Sequence, residues 1–190
     1  PPVPTVAPSS VRETSAESLD PLDLGKIASL CSELARISDT RSLPAVLERT
    51  ATVLDAHGVV LWIADPDGRE LNPVVTHGYP AQLVTRFGTI PRDAQNATAA
   101  AFRTALLQTV HADSISNGAI AVPLVTPAGC VGVMAAEVRH GGEKQDAKLA
   151  AAAIVAAQLA TLVGPPSSRP AMFCGSRWSG SACCCSASRW

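Results

Sequence analysis

An α+β domain, built on an antiparallel sheet of about five strands with helices on both faces, is the fold this sequence predicts. Three observations predict it. Apolar residues recur at helical spacing near both ends of the patterned region, from Leu24 to Leu54 and again from Glu143 to Val163. Between them lie short runs rich in β-branched residues joined by tight turns, which makes neighbouring strands antiparallel. The last two of these runs are apolar on both faces, so helices must cover that part of the sheet from each side.

The composition narrows the rest. A chain of 190 residues holds one domain with a substantial core, and a hydrophobic share of 47% excludes disorder throughout. Aromatic residues make up only 4%, so Ala, Val, Leu and Ile must build that core. A net charge of −1 gives no electrostatic reason to expect nucleic acid or an anionic membrane as partner. The most apolar stretch, Leu149 to Val163, is interrupted by Gln158 and Thr161 and reads as a packed helix rather than a membrane span. Only Cys31 and Cys130 fall in the patterned region, which is no disulfide framework, and a reducing, cytoplasmic setting is the expectation.

Residues 1–18 are rich in Pro and Ser without periodicity and read as a disordered linker. The domain is expected over residues 19–164. Ile27, Leu30, Leu34 and Ile37 form one narrow stripe on a first helix, closer to a coiled-coil seam than to a buried face. With Ile154 from the closing helix, this stripe is the expected homodimer interface. A second helix carries Leu43, Val46, Leu47, Thr50, Val53 and Leu54 on one face, with Pro44 in its first turn. Gly58 is expected to end it.

Val59 to Ala64 reads as a strand, Asp65-Pro66-Asp67-Gly68 as a turn, and Glu70 to Thr76 as the return strand, where Pro73 calls for an edge or a bulge. A short helix over Tyr79–Phe87, a longer one over Ala94–Leu107 and a brief strand over Leu107–His111 follow. Ala119–Thr126 and Cys130–Arg139 then pair across a three-residue turn, Pro127-Ala128-Gly129. Gly132 inside the second run implies a close approach by a neighbour. Gly141-Gly142 breaks the chain, and Glu143–Val163 forms the closing helix, acid first as the helix dipole prefers. After Gly164-Pro165-Pro166 the composition shifts to Ser, Cys, Arg and Trp with no acid, and residues 165–190 read as a disordered tail.

Three segments in this order resemble a GAF domain: Leu43–Leu71, Gln108–Asp113 and Ala119–Val138, the last with Pro123-Leu124 and Val131-Gly132-Val133. The resemblance implies a sensory domain of signalling proteins without catalytic activity of its own. It also implies a small-molecule pocket between the sheet and the middle helices, and dimers formed by the terminal helices. The sequence departs from the family over Arg92–Thr98, where Ala in place of Gly predicts a more helical segment.

Candidate ligand-binding residues are Trp62, Thr76, His77, Phe102, His111 and Asp113. His77 and His111 lie at strand ends, where a haem or metal could use either, yet no second ligand stands at recognisable spacing. Asp113 has an alternative role as a loop cap, and Trp62 and Phe102 as ordinary core. No Gly-x-Ser-x-Gly, P-loop or dinucleotide fingerprint occurs, and Cys130 has no adjacent cation, so no enzyme chemistry is expected. No residue pattern names a cofactor. The expected function is thus a dimeric, non-catalytic sensory domain, with a ligand-free dimerisation module or a haem or redox sensor as the alternatives.

Overall fold

The computed structural model describes residues 24–37 and 39–164. The expected linker and tail lie outside the described residues, as do residues 19–23 of the expected domain. The chain runs α1 (Leu24–Leu34), α2 (Leu43–Leu54), β1 (Ala56–Ala64), β2 (Glu70–His77), α3 (Ala81–Val84), β3 (Ile90–Pro91), α4 (Ala97–Thr104), β4 (Gln108–Val110), β5 (Gly118–Thr126), β6 (Gly129–Val138) and α5 (Asp146–Val163). Single 3₁₀ turns at Thr40–Ser42 and Gly142–Lys144 precede α2 and α5.

All six strands join one antiparallel sheet in the order β3-β2-β1-β6-β5-β4. The strand beyond the expected five is β3. It is two residues long and contains Pro91, so no alternation of apolar and polar residues could announce it. Helices cover both faces, as expected. On one face α1, α2 and α5 enclose an aliphatic core around Leu47, Leu54, Leu61, Leu124, Met134 and Leu159. On the other, α4 lies across β5 and β6.

The seam expected on α1 is not an exposed seam. Ile27, Leu30 and Leu34 are buried within the domain, Leu30 and Leu34 at 2% exposure, where α1 packs against α2 and α5. The stripe is narrow because two helices share the task of covering it, not because it awaits a partner. Ile37 lies past the end of α1 and packs partly against the same core. Ile154, by contrast, keeps 45% of its surface exposed. An ion pair from Arg49 to Glu33 ties α2 to α1 on the outside.

Helix α2 ends before Gly58. Asp55 takes the left-handed conformation at φ 51°, and its N–H bonds to the carbonyls of Ala51 and Thr52, so β1 starts at Ala56. Short polar side chains tolerate this conformation, which is why a non-glycine stop escaped sequence reasoning. Gly58 instead sits inside β1 beside a register shift that leaves His57 unpaired with β6. The Asp65–Gly68 turn forms as expected: Gly68 at φ 65° donates to the Asp65 carbonyl at 3.0 Å. Pro73 lies beside a bulge where Val74 has no partner on β1. In the last hairpin Thr126 pairs with Gly129, so the turn proper is Pro127-Ala128, and a bulge at Val131 restores the register.

Helix α4 is shorter than expected. Arg92–Asn96 is a non-helical segment, and Asn96 starts the helix by accepting from the Ala99 N–H at 2.8 Å. The alanines there did not make the segment helical, because a capping side chain outweighs their propensity. Helix α3 is likewise trimmed to one turn. Helix α5, at 18 residues and a mean hydropathy of 1.5, is long and apolar enough to span a bilayer by composition alone. One side, with Ala152, Val155, Ala156 and Leu159, is buried in the aliphatic core, and the other, with Ala150, Ala153, Ile154 and Ala157, is exposed.

Candidate functional site

The two faces of the sheet differ in chemistry. The three-helix side is aliphatic, whereas every aromatic side chain among the described residues, Trp62, Tyr79, Phe87 and Phe102, belongs to the α4 side. Phe87 meets Tyr79 edge-on at 5.3 Å between centroids and lies tilted against Trp62 at 6.2 Å. Beneath them the strands offer small residues, Ala121, Val133 and Ala135. Polar groups enter at one end. The Tyr79 hydroxyl donates to Glu137 Oε2 at 3.3 Å, and Asn117 Nδ2 donates to Glu137 Oε1 at 2.8 Å. One carboxylate on β6 thereby connects the segment after β2 with the β4–β5 loop.

Gly58 makes room for this arrangement. A Cβ there would lie 2.4 Å from the Tyr79 ring, so the ring occupies the space of a missing side chain. Burial, with the Glu137 charge and hydrogen bond added, pushes the Tyr79 hydroxyl up to about 12. Tyr79 is the chain's single tyrosine. Tyrosinate absorbance therefore reports this one group, with a midpoint expected near pH 12 in the folded protein and near the ordinary 10 in denaturant. Because the folded-state value is the higher one, the stability this group contributes is whole below pH 10 and is lost as pH rises through 12. A midpoint near 10 in the native protein would place the hydroxyl in water.

Of the residues singled out from sequence, Trp62 and Phe102 come together here, both almost fully buried. Thr76 pairs with Val60 and shares this face, while His77 pairs with Val59 and shares the three-helix face. His111 and Asp113 are elsewhere, in the β4–β5 loop. His77 on β2 and His111 beyond β4 are separated by β1, β6 and β5, so the two histidines cannot share one ligand. Asp113 takes its capping role: Oδ1 accepts from the N–H groups of Ile115 at 2.8 Å and Ser116 at 2.7 Å, which hold its carboxyl below the ordinary carboxylate range. Sequence reasoning missed Tyr79, Phe87, Asn117 and Glu137. Glu137 left a trace, an acid within an otherwise apolar strand, but its partners are distant in sequence.

The GAF domain family model matches residues 42–163. The chain belongs to the GAF domain family. Solved structures agree at the level of the fold. The GAF domain from an Acinetobacter phosphoenolpyruvate-protein phosphotransferase superposes with a TM-score of 0.62 at 12% identity, over 76% of this chain and 93% of that one. A free methionine-R-sulfoxide reductase from Neisseria meningitidis, in complex with its substrate, gives 0.59 at 18%, over 72% and 84%. The second GAF domain of DevS from Mycobacterium smegmatis gives 0.52 at 24%, over 64% and 89%. A comparison with curated proteins found no match.

In this GAF domain the α4 face is the candidate ligand site, and a second polar feature lies beside the β4–β5 loop. Glu143, expected to lead the closing helix, lies in the preceding 3₁₀ turn and points inward, its side chain fully buried. Its Oε1 accepts from the Ala112 N–H at 3.1 Å and stands 4.0 Å from His111 Nδ1. Its Oε2 has no hydrogen-bond partner and lies against Gly118, where a Cβ would come within 2.1 Å. Glu143 thus anchors the β4–β5 loop to the start of α5. Among the described residues no three His, Cys, Asp or Glu side chains are grouped to hold a metal. Burial pushes the Cys130 thiol up, away from the reactive thiolate.

Proposed function

We propose that this GAF domain is a non-catalytic sensory module that receives a small, largely apolar molecule on its α4 face. The segregation of all described aromatics to that face, beside one carboxylate acceptor, carries the reading. Glu137 would accept from a donor on the ligand, giving up Tyr79 or Asn117 as it does so. A change there would reach the segment after β2 and the β4–β5 loop, and through Ala112 and Glu143 the start of α5. The near-complete burial of Trp62 and Phe102 favours the second reading, a dimerisation module whose pocket is filled by its own side chains.

Indole, an aromatic ring with one N–H donor, separates the two. Calorimetric titration should give saturable binding that weakens about tenfold in Glu137→Ala, the loss of a hydrogen bond to a charged acceptor. Absence of saturable binding by indole and similar fragments favours the filled pocket.

For the homodimer, the exposed side of α5 is the better surface, because α1 has spent its apolar stripe internally. Ala150, Ala153 and Ala157 flank Ile154 and let a partner helix approach closely. Ile154→Asp should turn a dimer into a folded monomer in sedimentation at tens of micromolar. A parent chain that is already monomeric under those conditions removes the interface.

A further inference from the structure

Beside the aromatic cluster, three arginines from three different elements converge on one open depression. Arg69 comes from the β1–β2 turn, Arg92 from the segment after β3, and Arg103 from the last turn of α4. With Asp67, Gly68 and Asp93 they line a volume of about 490 Å³. Two of the guanidiniums are held in place from within. Arg92 Nη1 donates to the Gly68 carbonyl at 3.2 Å, and its guanidinium lies over the Phe102 ring, 5.2 Å from the centroid. Arg103 Nη1 donates to the carbonyls of Arg92 at 2.6 Å and Ala94 at 2.9 Å.

These bonds order the side chains without neutralising them. The ion pairs among the described residues gather at Glu33, Asp55 and Glu143, and none includes Arg69, Arg92 or Arg103. Asp67 and Asp93 share the lining but do not pair with the arginines. In the lining three guanidiniums face two carboxylates, and the Asp65 carboxylate of the same turn interacts with the Arg69 charge and offsets that excess. The fixed geometry of the donors, not net charge, therefore favours an oxyanion. A guanidinium already fixed loses little rotamer freedom when it binds, and its planar fork matches oxyanions. Donors arriving from three directions suit a tetrahedral group better than a planar carboxylate, which one fork can satisfy.

We infer that this depression binds a phosphoryl group, as inorganic phosphate or as the monoester of a small solute. The depression adjoins the α4 face where Arg92 covers Phe102, but its lining shares no residue with the Tyr79, Glu137 and Asn117 group. Phosphate binding here therefore does not depend on a ligand on that face.

The test is amide NMR on the whole chain, titrated with inorganic phosphate and with glycerol 3-phosphate at an ionic strength held constant with chloride. Saturable shifts are expected at Asp67–Arg69, Arg92–Ala94 and Arg103. Saturation by both probes identifies a monoester site, and saturation by phosphate alone a site for the free ion. Arg69→Gln is the cleaner variant, since no internal hydrogen bond of that guanidinium is lost. It should weaken binding about tenfold, the size of one charge-assisted bond, at unchanged melting temperature. The double variant Arg92→Gln/Arg103→Gln should abolish saturation. Shifts that grow linearly and match those of chloride overturn the inference, as does Arg69→Gln binding phosphate as tightly as the parent.

Discussion

Leu30→Asp combined with Leu34→Asp should unfold the domain, not merely separate two copies of it. Both side chains are 2% exposed, in the layer where α1 meets α2 and α5. Removing each leucine side chain alone costs about 2–5 kcal/mol through lost burial and the cavity left behind. Each aspartate then brings a carboxylate into an apolar layer with no cation among the buried residues of α1 to receive it, which adds several kcal/mol. Whole-domain stabilities are about 5–15 kcal/mol, so the pair of substitutions consumes most or all of it. Far-UV circular dichroism and a one-dimensional proton spectrum decide the matter. A folded, monomeric double variant would mean that α1 is a detachable arm and that its stripe belongs to an interface after all.

Gly132→Val is the other large effect. Gly132 lies inside β6, paired with Ile63 on β1 and Leu124 on β5, so it is flanked on both sides. A Cβ there would stand 2.2 Å from the Trp62 carbonyl oxygen and 3.1 Å from the Ile63 side chain. The obstructing atom is backbone in a central strand and cannot swing aside without disturbing the β1–β6 ladder. Overpacking costs about 1–3 kcal/mol, and a rigid neighbour puts this case at the top of that range or above it. For a domain of this size that is a fall in melting temperature of about 10 °C. Gly132→Ala should already show most of the loss, because the first carbon meets the carbonyl. A melting temperature unchanged in both variants would show that the strands separate freely here.

The close approach at Gly132 was legible because a glycine between two valines weakens its strand unless a neighbour needs the space. Much of the fold was legible for similar reasons. The Asp65–Gly68 turn, the bulge beside Pro73 and the β5–β6 hairpin rest on local chemistry, where a few neighbouring residues determine the backbone. The α1 stripe is a stripe as read, but Ile27, Leu30 and Leu34 are buried within the domain and do not form an open seam. Periodicity says which residues share a face and nothing about which surface covers it. The site was less legible still. Trp62 and Phe102 were found as isolated aromatics, but Tyr79, Asn117 and Glu137 meet across 58 residues of chain, and only the strand order brings them together. Glu143 was assigned to a helix terminus because acids favour that position, and the chain turned it inward.

Two of the glycines already described bear on how this sequence can change over generations. Gly58 and Tyr79 occupy one volume between them, as do Gly118 and Glu143. At either pair a larger residue in place of glycine is admissible only after its partner has become smaller, so the order of substitution is constrained. The ring or the carboxylate must go first. The Gly118–Glu143 pair is the stricter one, since the buried carboxylate can move aside only by releasing the Ala112 N–H. Descendants of this chain should therefore keep or lose each pair together. A lineage carrying valine at 118 with glutamate still at 143 would have to hold its β4–β5 loop by some other means.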